Sequence, residues 1–287
     1  MKILLTSLFI SSLIANSATL NWPKWRGPNG DGIALGDRVP TEWSDTKNLK
    51  WKLKLPGAGA SSPSIWGEQI FLTCYSGYGV SGPGGDLRKL MRHVVCVNTR
   101  TGKIEWQKNI KPQGDEDRYG GMGVPEHGYA TATPATDGKS VFISLGKTGL
   151  LAFDMKGKEL WRTETGGESS GKRWGASASP VLHGDKVFVN SLLRGHKILA
   201  LNKSDGKVAW KWSPSNITPY QDSYATPALI KTDTRTDLVL AVSNEIWAFD
   251  PAKGGINWYA YTSVGGSNIS PSVIAGSGTL FAFGGYP

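Results

Sequence analysis

The sequence is poor in the residues from which metal sites and nucleophiles are usually built, with two cysteines and four histidines in 287 residues. Cys74 and Cys96 make neither a CxxC pair nor a CxxCH haem site. His93, His127, His183 and His196 are dispersed without metal-ligand spacing. GxSxG, HExxH and a phosphate-cradling glycine loop do not occur. These absences leave no recognisable catalytic set and no metal centre to name. After the apolar stretch 3–14, no run approaches the ~20 apolar residues that a spanning helix needs. That stretch follows Met1-Lys2 and ends in Ala15-Asn16-Ser17-Ala18, which reads as a secretory signal over 1–17. The absence of a cysteine after the cleavage region argues against a lipid anchor. The expected location is periplasmic or extracellular.

Acidic side chains are also in short supply, 23 against 32 lysines and arginines, for a formal charge of +9. Such an excess invites a nucleic-acid reading. Many of the lysines, however, fall in hairpin turns (Lys103, Lys158, Lys186, Lys207) beside Asp137, Asp185 and Asp205. No basic stripe carries stacking aromatics. The excess reads as a solvated surface, and no nucleic-acid partner is expected.

What the chain does have is a repeat. Cys96-Val97-Asn98 … Gly102-Lys103 … Trp106 returns as Ala152-Phe153-Asp154 … Gly157-Lys158 … Trp161. It returns again as Ala200-Leu201-Asn202 … Gly206-Lys207 … Trp210 and as Ala248-Phe249-Asp250 … Gly254-Gly255 … Trp258. Each unit opens on a hydroxyl residue before proline, at Ser62, Thr133, Ser179, Thr226 and Ser270. A period of roughly 50 residues made of short Val/Ile/Leu/Phe runs predicts an all-β propeller of four-stranded blades. Blades are expected near 61–108, 131–165, 177–212 and 224–261, with a partial one at 269–287. An extended segment, 18–48, precedes them. In the second unit the expected strands are A after Thr133–Ala135, B at Val141–Leu145, C at Leu150–Asp154 and D at Lys158–Thr163. The Asp/Asn-to-Gly stretch makes a tight C–D hairpin. Trp106, Trp161, Trp210 and Trp258 are expected to dock over that turn, given room by the small residue on the neighbouring strand.

Leu49–Leu55, with Trp51, reads as a lone D strand, and the last unit shows only Ser270–Ile274 and Thr279–Phe283. About four and a half blades over 49–287 imply part of a larger closed ring. Cys96 takes the small-residue place of Ala152, Ala200 and Ala248, and Cys74 ends strand B. Aligning the repeats puts the two on neighbouring strands and one face, diagonal to each other. Two small core cysteines and a bridge both remain open.

The Ala-x-Asp/Asn … Gly-Lys-x-x-Trp phrase resembles the tryptophan-docking motif of pyrroloquinoline-quinone (PQQ)-like propeller repeats, from about Asn48 to Pro287. No Trp-Asp dipeptide of a WD repeat is present. Asn21-Trp22-Pro23-Lys24-Trp25-Arg26-Gly27-Pro28-Asn29-Gly30-Asp31-Gly32 is similar to the start of secreted bacterial PQQ-like repeat proteins. The resemblance spans quinoprotein alcohol dehydrogenases and the propeller lipoprotein of outer-membrane assembly. For the enzymes it implies an adjacent-cysteine disulfide over the quinone, calcium held by acidic and amide side chains, and an aspartate base. Cys74 and Cys96 are not adjacent, and no such aspartate set can be matched.

Strand alternation sends the B–C loops and D–A connections to one side, which contains the two longest connections, 76–93 and 109–130. Long loops on a rigid scaffold are where binding usually resides. The ligand-binding candidates there are Arg118, Tyr119, Tyr129, Arg173, Trp174 and Tyr224. Tyr129, Trp174 and Tyr224 are placed to ring a channel mouth, or else to plug it and pack the loops. Asp115-Glu116-Asp117 reads either as a calcium loop or as a solvated tip, and Asn29-Gly30-Asp31-Gly32 as a tight turn. The expected function is an exported, non-catalytic scaffold or ligand-binding module. Its partner would be a protein or a small or extended polar ligand, with no cofactor. The alternative is a PQQ-dependent alcohol or sugar dehydrogenase, which would need PQQ and calcium.

Overall fold

The computed structural model describes residues 21–34, 36, 39–80, 85–112, 116–119, 128–166, 173–193, 197–214, 222–263 and 268–284. The expected signal segment, 1–17, lies outside them. Four antiparallel four-stranded sheets follow one another along the chain. The first holds β1 (Ser64–Trp66), β2 (Gln69–Ser76), β3 (Met91–Asn98) and β4 (Ile104–Ile110). The second holds β5 (Ala135–Thr136), β6 (Ser140–Ser144), β7 (Leu150–Asp154) and β8 (Glu159–Thr163). In the third are β9 (Val181–His183), β10 (Lys186–Ser191), β11 (Lys197–Asn202) and β12 (Val208–Trp212). A short β13 (Asp222–Ser223) precedes the fourth sheet, β14 (Ala228–Lys231), β15 (Thr236–Val242), β16 (Glu245–Phe249) and β17 (Ile256–Tyr261). β18 (Asn268–Ile269) pairs in parallel with β13, and β19 (Ile274–Gly276) forms a hairpin with β20 (Thr279–Phe281). The protein is an all-β propeller with open sheets.

The core lies between sheets rather than within them. Phe71, Val94 and Cys96 of the first sheet pack on Val141, Ile143 and Phe153 of the second. Phe142, Leu150 and Ala152, on the other face of that second sheet, meet Val187, Val189 and Leu199 of the third. Phe188, Ile198 and Ala200 then meet Leu238, Leu240 and Phe249 of the fourth. The middle strands are therefore apolar on both faces, and burial of both faces holds the blades in a stack.

Two belts of polar contacts run across the blades. On the outer side each tryptophan lies over the turn of the following blade, not over its own. A Cβ on Gly157 would sit 2.7 Å from Trp106 Cδ2, one on Gly206 2.5 Å from Trp161 Cε3, and one on Gly254 2.5 Å from Trp210 Cδ2. These glycines all have positive φ, so the position is closed to side chains twice over. Each indole also donates to a carbonyl in that turn: Trp106 to Met155, Trp161 to Lys203 and Trp210 to Pro251, at 2.9–3.1 Å. The small residue does face its tryptophan as expected (Ala152 opposite Trp161, Ala200 opposite Trp210), and a bulge follows it in every C–D pair. Trp258 departs from the series. Among the described residues it lies over no glycine turn, and its indole donates to Asp237 Oδ2 at 2.9 Å.

The inner belt uses the hydroxyl residues that precede proline. Ser62 N–H donates to Thr133 Oγ1, Thr133 N–H to Ser179 Oγ, and Ser179 N–H to Thr226 Oγ1, at 2.9–3.1 Å. Thr226 N–H continues to Ser272 Oγ at 3.1 Å, two residues beyond the expected Ser270. Neighbouring first strands touch in turn along this line, which places them around the axis.

Three further expectations need correction. Leu49–Leu55 joins no ladder among the described residues, because no partner strand lies beside it there. Its alternation still packs Trp51, Leu53 and Leu55 on the first sheet, and Trp51 covers Gly102 as the later tryptophans cover theirs. Cys74 and Cys96 are on opposite faces, not one. Cys96 pairs with Phe71 and Cys74 with His93, an odd offset of three residues on each strand, so Cys74 faces Trp51 and Leu53 while Cys96 faces the second blade. Both are free and buried. Finally, the strands of the last unit are shorter than expected, and Ser270–Val273 lies outside its hairpin.

The segment before the blades is a strap. Trp22 makes an antiparallel bridge with Ile65, Asn21 Oδ1 accepts Gly67 N–H at 2.8 Å, and Pro23 O accepts Thr136 N–H at 2.8 Å. It crosses the first strands of two blades near their A–B turns. As expected, Asn29–Gly32 is a tight turn. Asp31 Oδ1 accepts Ile33 N–H, and Gly32 N–H closes on Arg26 O.

Candidate functional site: the loop face

On the side opposite the strap, the described parts of the long B–C and D–A connections (76–80, 85–90, 116–119 and 128–130) meet around a buried arginine. Arg92 is the second residue of β3, where it and His93 are the two buried polar side chains before the apolar run Val94–Val97, and its side chain is 1% exposed. Its Nε donates to Tyr129 O at 3.1 Å and its Nη1 to Thr148 Oγ1 at 3.3 Å. Glu116, 3% exposed, brings Oε2 to 2.7 Å from Nη1. Among the described residues that oxygen makes no well-angled hydrogen bond, so charge contributes more to the pair than hydrogen-bond alignment. Burial opposes the Arg92 charge, but Glu116 more than offsets it, and the guanidinium pKa is raised above its ordinary value. The guanidinium also lies 5.6 Å from the centre of the Tyr129 ring.

Around this pair the aromatics are internal. Tyr119 stacks on Tyr129 at 4.0 Å between centroids and 14° between planes. Tyr129 O–H donates to Asp117 O at 2.8 Å and accepts Tyr119 N–H at 3.0 Å. Tyr75 and Tyr78 meet the Tyr129 ring edge-on. Desolvation pushes the Tyr119 phenol up to about 12 and also raises that of Tyr129, so both stay neutral at ordinary pH and are poorly suited to acid–base work. Lys147 pairs with Asp117 at 2.9 Å, tying the D–A connection of the first blade to the B–C turn of the second. Tyr119 reaches on to Gly175, and Trp174 lies 6.0 Å from Tyr224. Described loop residues from four blades are thus linked by a continuous series of contacts.

The six expected ligand-binding residues do come together on this side, but in two roles. Tyr119, Tyr129 and Tyr224 are 4–7% exposed and serve packing. Arg118 and Arg173 are exposed and Trp174 is half-buried. Glu116 and Asp117, read as part of a calcium loop or solvated tip, instead face Arg92 and Lys147. Asp115 lies outside the described residues, as does His127. Among the described residues no group of three acidic, histidine or cysteine side chains could hold a metal ion. The Arg92–Glu116 pairing was not foreseen. A charged residue at the head of an apolar run was its one sign. No helix of the described residues is long and apolar enough to cross a membrane.

Among curated proteins no sequence matches the chain. The family described as outer membrane protein assembly factor BamB, a PQQ-type repeat family, matches residues 90–286. The chain belongs to this family. Solved structures share the fold at low identity. BamB from Moraxella catarrhalis superposes with a TM-score of 0.53 at 15% identity, over 79% of this chain and 59% of that one. The quinohemoprotein alcohol dehydrogenase from Comamonas testosteroni gives 0.58 at 16% identity, over 93% of this chain and 46% of that one. A europium-containing methanol dehydrogenase gives 0.54 at 13% identity, over 86% and 49%. The chain therefore spans about half the length of the solved proteins it resembles. Membership in the BamB-like family is consistent with the two belts, since both are built from the repeated residues.

Proposed function

We propose that this BamB-like chain is an exported propeller whose loop face docks a protein or an extended polar ligand, and that it acts as a scaffold rather than an enzyme. The observation that supports this is the rigid base beneath that face. A buried ion pair and a tyrosine stack hold loops from several blades in one arrangement, with Arg118, Arg173 and Trp174 turned outward. Pre-organised loops lose less entropy on binding, and exposed arginine beside tryptophan is the usual composition of an interface anchor. Export is supported by the apolar leader at 1–17 and by the family.

The test is photo-crosslinking of the protein in its native host, with the probe placed beside Arg118 or Arg173. Arg118→Glu, Arg173→Glu and Trp174→Ala should each reduce capture at least about tenfold without lowering the melting temperature. Crosslinks confined to the C–D turns around Lys103, Lys158 and Lys207 would defeat the proposal.

A PQQ-dependent dehydrogenase fits the described residues poorly. Cys74 and Cys96 lie buried on opposite faces of one blade and cannot form a platform of joined neighbouring cysteines over a quinone. The Glu116 and Asp117 carboxylates are committed to cations of the protein itself. Stoichiometric PQQ binding with substrate-dependent dye reduction would overturn the scaffold reading.

A further inference from the structure

We propose that the channel cavity beneath the N-terminal strap is a binding site for a small oxyanion, a carboxylate or a phosphate. The cavity holds about 560 Å³ and lies against the inner strands of the third and fourth blades and the segment after β18, away from the loop face. Lys24 and Arg26 of the strap line it together with Thr226, Ser272 and Asp31.

Four observations converge there. Arg26 Nη1 is buried with no hydrogen-bond partner among the described residues. Lys24 likewise makes no ion pair among them, and its burial lowers its pKa, as expected for an ammonium without a counter-ion. Both side chains are half-buried, and the Arg26 guanidinium also lies 5.8 Å from the centre of the Trp25 ring. A cation drawn partly out of water without an anionic partner still carries a desolvation cost that a bound anion would offset. Among the described lining residues Asp31 is the one carboxylate, and it already accepts Ile33 N–H. Lys231, on the exposed rim, adds a third positive charge.

The second group of donors comes from the inner belt. Thr226 Oγ1 and Ser272 Oγ each accept a backbone N–H of the preceding blade. A hydroxyl that accepts in this way keeps its own hydrogen, and neither donates it to a partner among the described residues. The wall therefore offers O–H donors beside two cations, a combination suited to an oxyanion and wasted on an apolar guest.

The strap also holds its cation deliberately. Arg26 has φ 61°, a left-handed conformation that is costly for a residue with a Cβ. The next residue, Gly27, has φ 77°, and the Trp22 ring covers it so closely that a Cβ would fall 2.7 Å from Trp22 Cζ3. Trp22 is itself fixed by its bridge to Ile65. The turn thus holds Arg26 in the cavity wall at the expense of local strain.

The experiment is calorimetric titration of the full-length protein with sodium phosphate and, separately, sodium succinate, against chloride of equal ionic strength. Saturable 1:1 binding of either is expected, and which one binds identifies the source of the charge. Lys24→Met and Arg26→Gln should weaken it at least about tenfold, while Lys207→Gln, on an exposed turn, should leave it unchanged. A readout that needs no variant is acetylation of Lys24 by acetic anhydride, followed by peptide mass spectrometry. The bound anion should slow it severalfold without slowing that of Lys207. Absence of saturable binding by both anions, or equal binding in all variants, would overturn the proposal.

Discussion

At the scale of single residues, buried charges at two places show what the fold tolerates and why. Arg92 and Glu116 are each almost wholly removed from water and compensate each other. Removing one leaves the other stranded, which costs about 3–5 kcal/mol, whereas an apolar pair of similar volume need not destabilise. Arg92→Leu and Glu116→Gln should each lower the melting temperature markedly, and the double variant less than their sum, as measured by thermal unfolding monitored by circular dichroism. Asp237 is the second case. Its side chain is 3% exposed and takes hydrogen bonds from Arg235, Asn257 and Trp258 at 2.7–2.9 Å. Burial alone would raise its pKa, but these donors reverse the sign and hold it below the ordinary carboxylate value. A depressed folded pKa gives stability that is present above the unfolded value, ~3.9, and lost as pH falls through the folded one. Asp237→Asn should therefore be less stable than the wild type at pH 7, with the gap closing on acidification below about pH 4. A gap that stayed constant from pH 7 to pH 3 would show that Asp237 is not ionised in the fold.

At the scale of the element, the blade is a four-stranded sheet whose two ends have different fasteners. The hydroxyl before proline serves the inner edge, and the tryptophan serves the outer one. Both contacts pass to a neighbouring blade, so a single substitution acts on a junction rather than on one sheet. Trp210 is 9% exposed, touches Phe188 and Phe249, and donates to Pro251. Trp210→Ala should cost about 3–5 kcal/mol, the range for truncating a core aromatic. Trp258 is only partly buried and rests on Asp237 instead of a glycine turn, so Trp258→Ala should cost less. Chemical denaturation of both variants checks the order, and equal losses would contradict the role given to the turn. The repeat of Asn/Asp, Gly and Trp was legible from the sequence because each copy needs the same short list of residue types. Which blade the tryptophan touches was not, because the period of the motif is the same whether the ring folds back or reaches forward.

At the scale of the whole molecule, apolar residues on both faces of the middle strands force a stack, and the stack decides where function can lie. In the 287-residue chain, amide exchange should be slowest in β6, β7, β10 and β11, whose sheets are covered on both sides. It should be fastest in the hairpin β19–β20, where Phe281 is 47% exposed. Hydrogen exchange with mass spectrometry tests this, and uniform protection across all sheets would mean that the blades do not open independently. The loop face and the channel cavity lie toward opposite ends of the same inner strands. The sequence pointed to the first through loop length. It did not point to the second, because Lys24 and Arg26 belong to a segment far from the strands that complete the cavity.

The fold class was determined by the sequence alone, since period, turn chemistry and strand composition are local properties that recur four times in register. The likeness to the BamB-like family follows from the same residues. What the tertiary structure decided was the fate of individual polar groups. Tyr119 and Tyr129, candidates for a ligand by position, became a buried stack, and Glu116, a candidate for calcium, became the partner of Arg92. Cys74 and Cys96 were separated by strand register, since a shift of one residue exchanges the faces of a sheet. Each of these outcomes depends on what lies across a junction from a residue distant in the chain. Periodicity specifies which side chains turn inward, whereas only packing determines what they meet there.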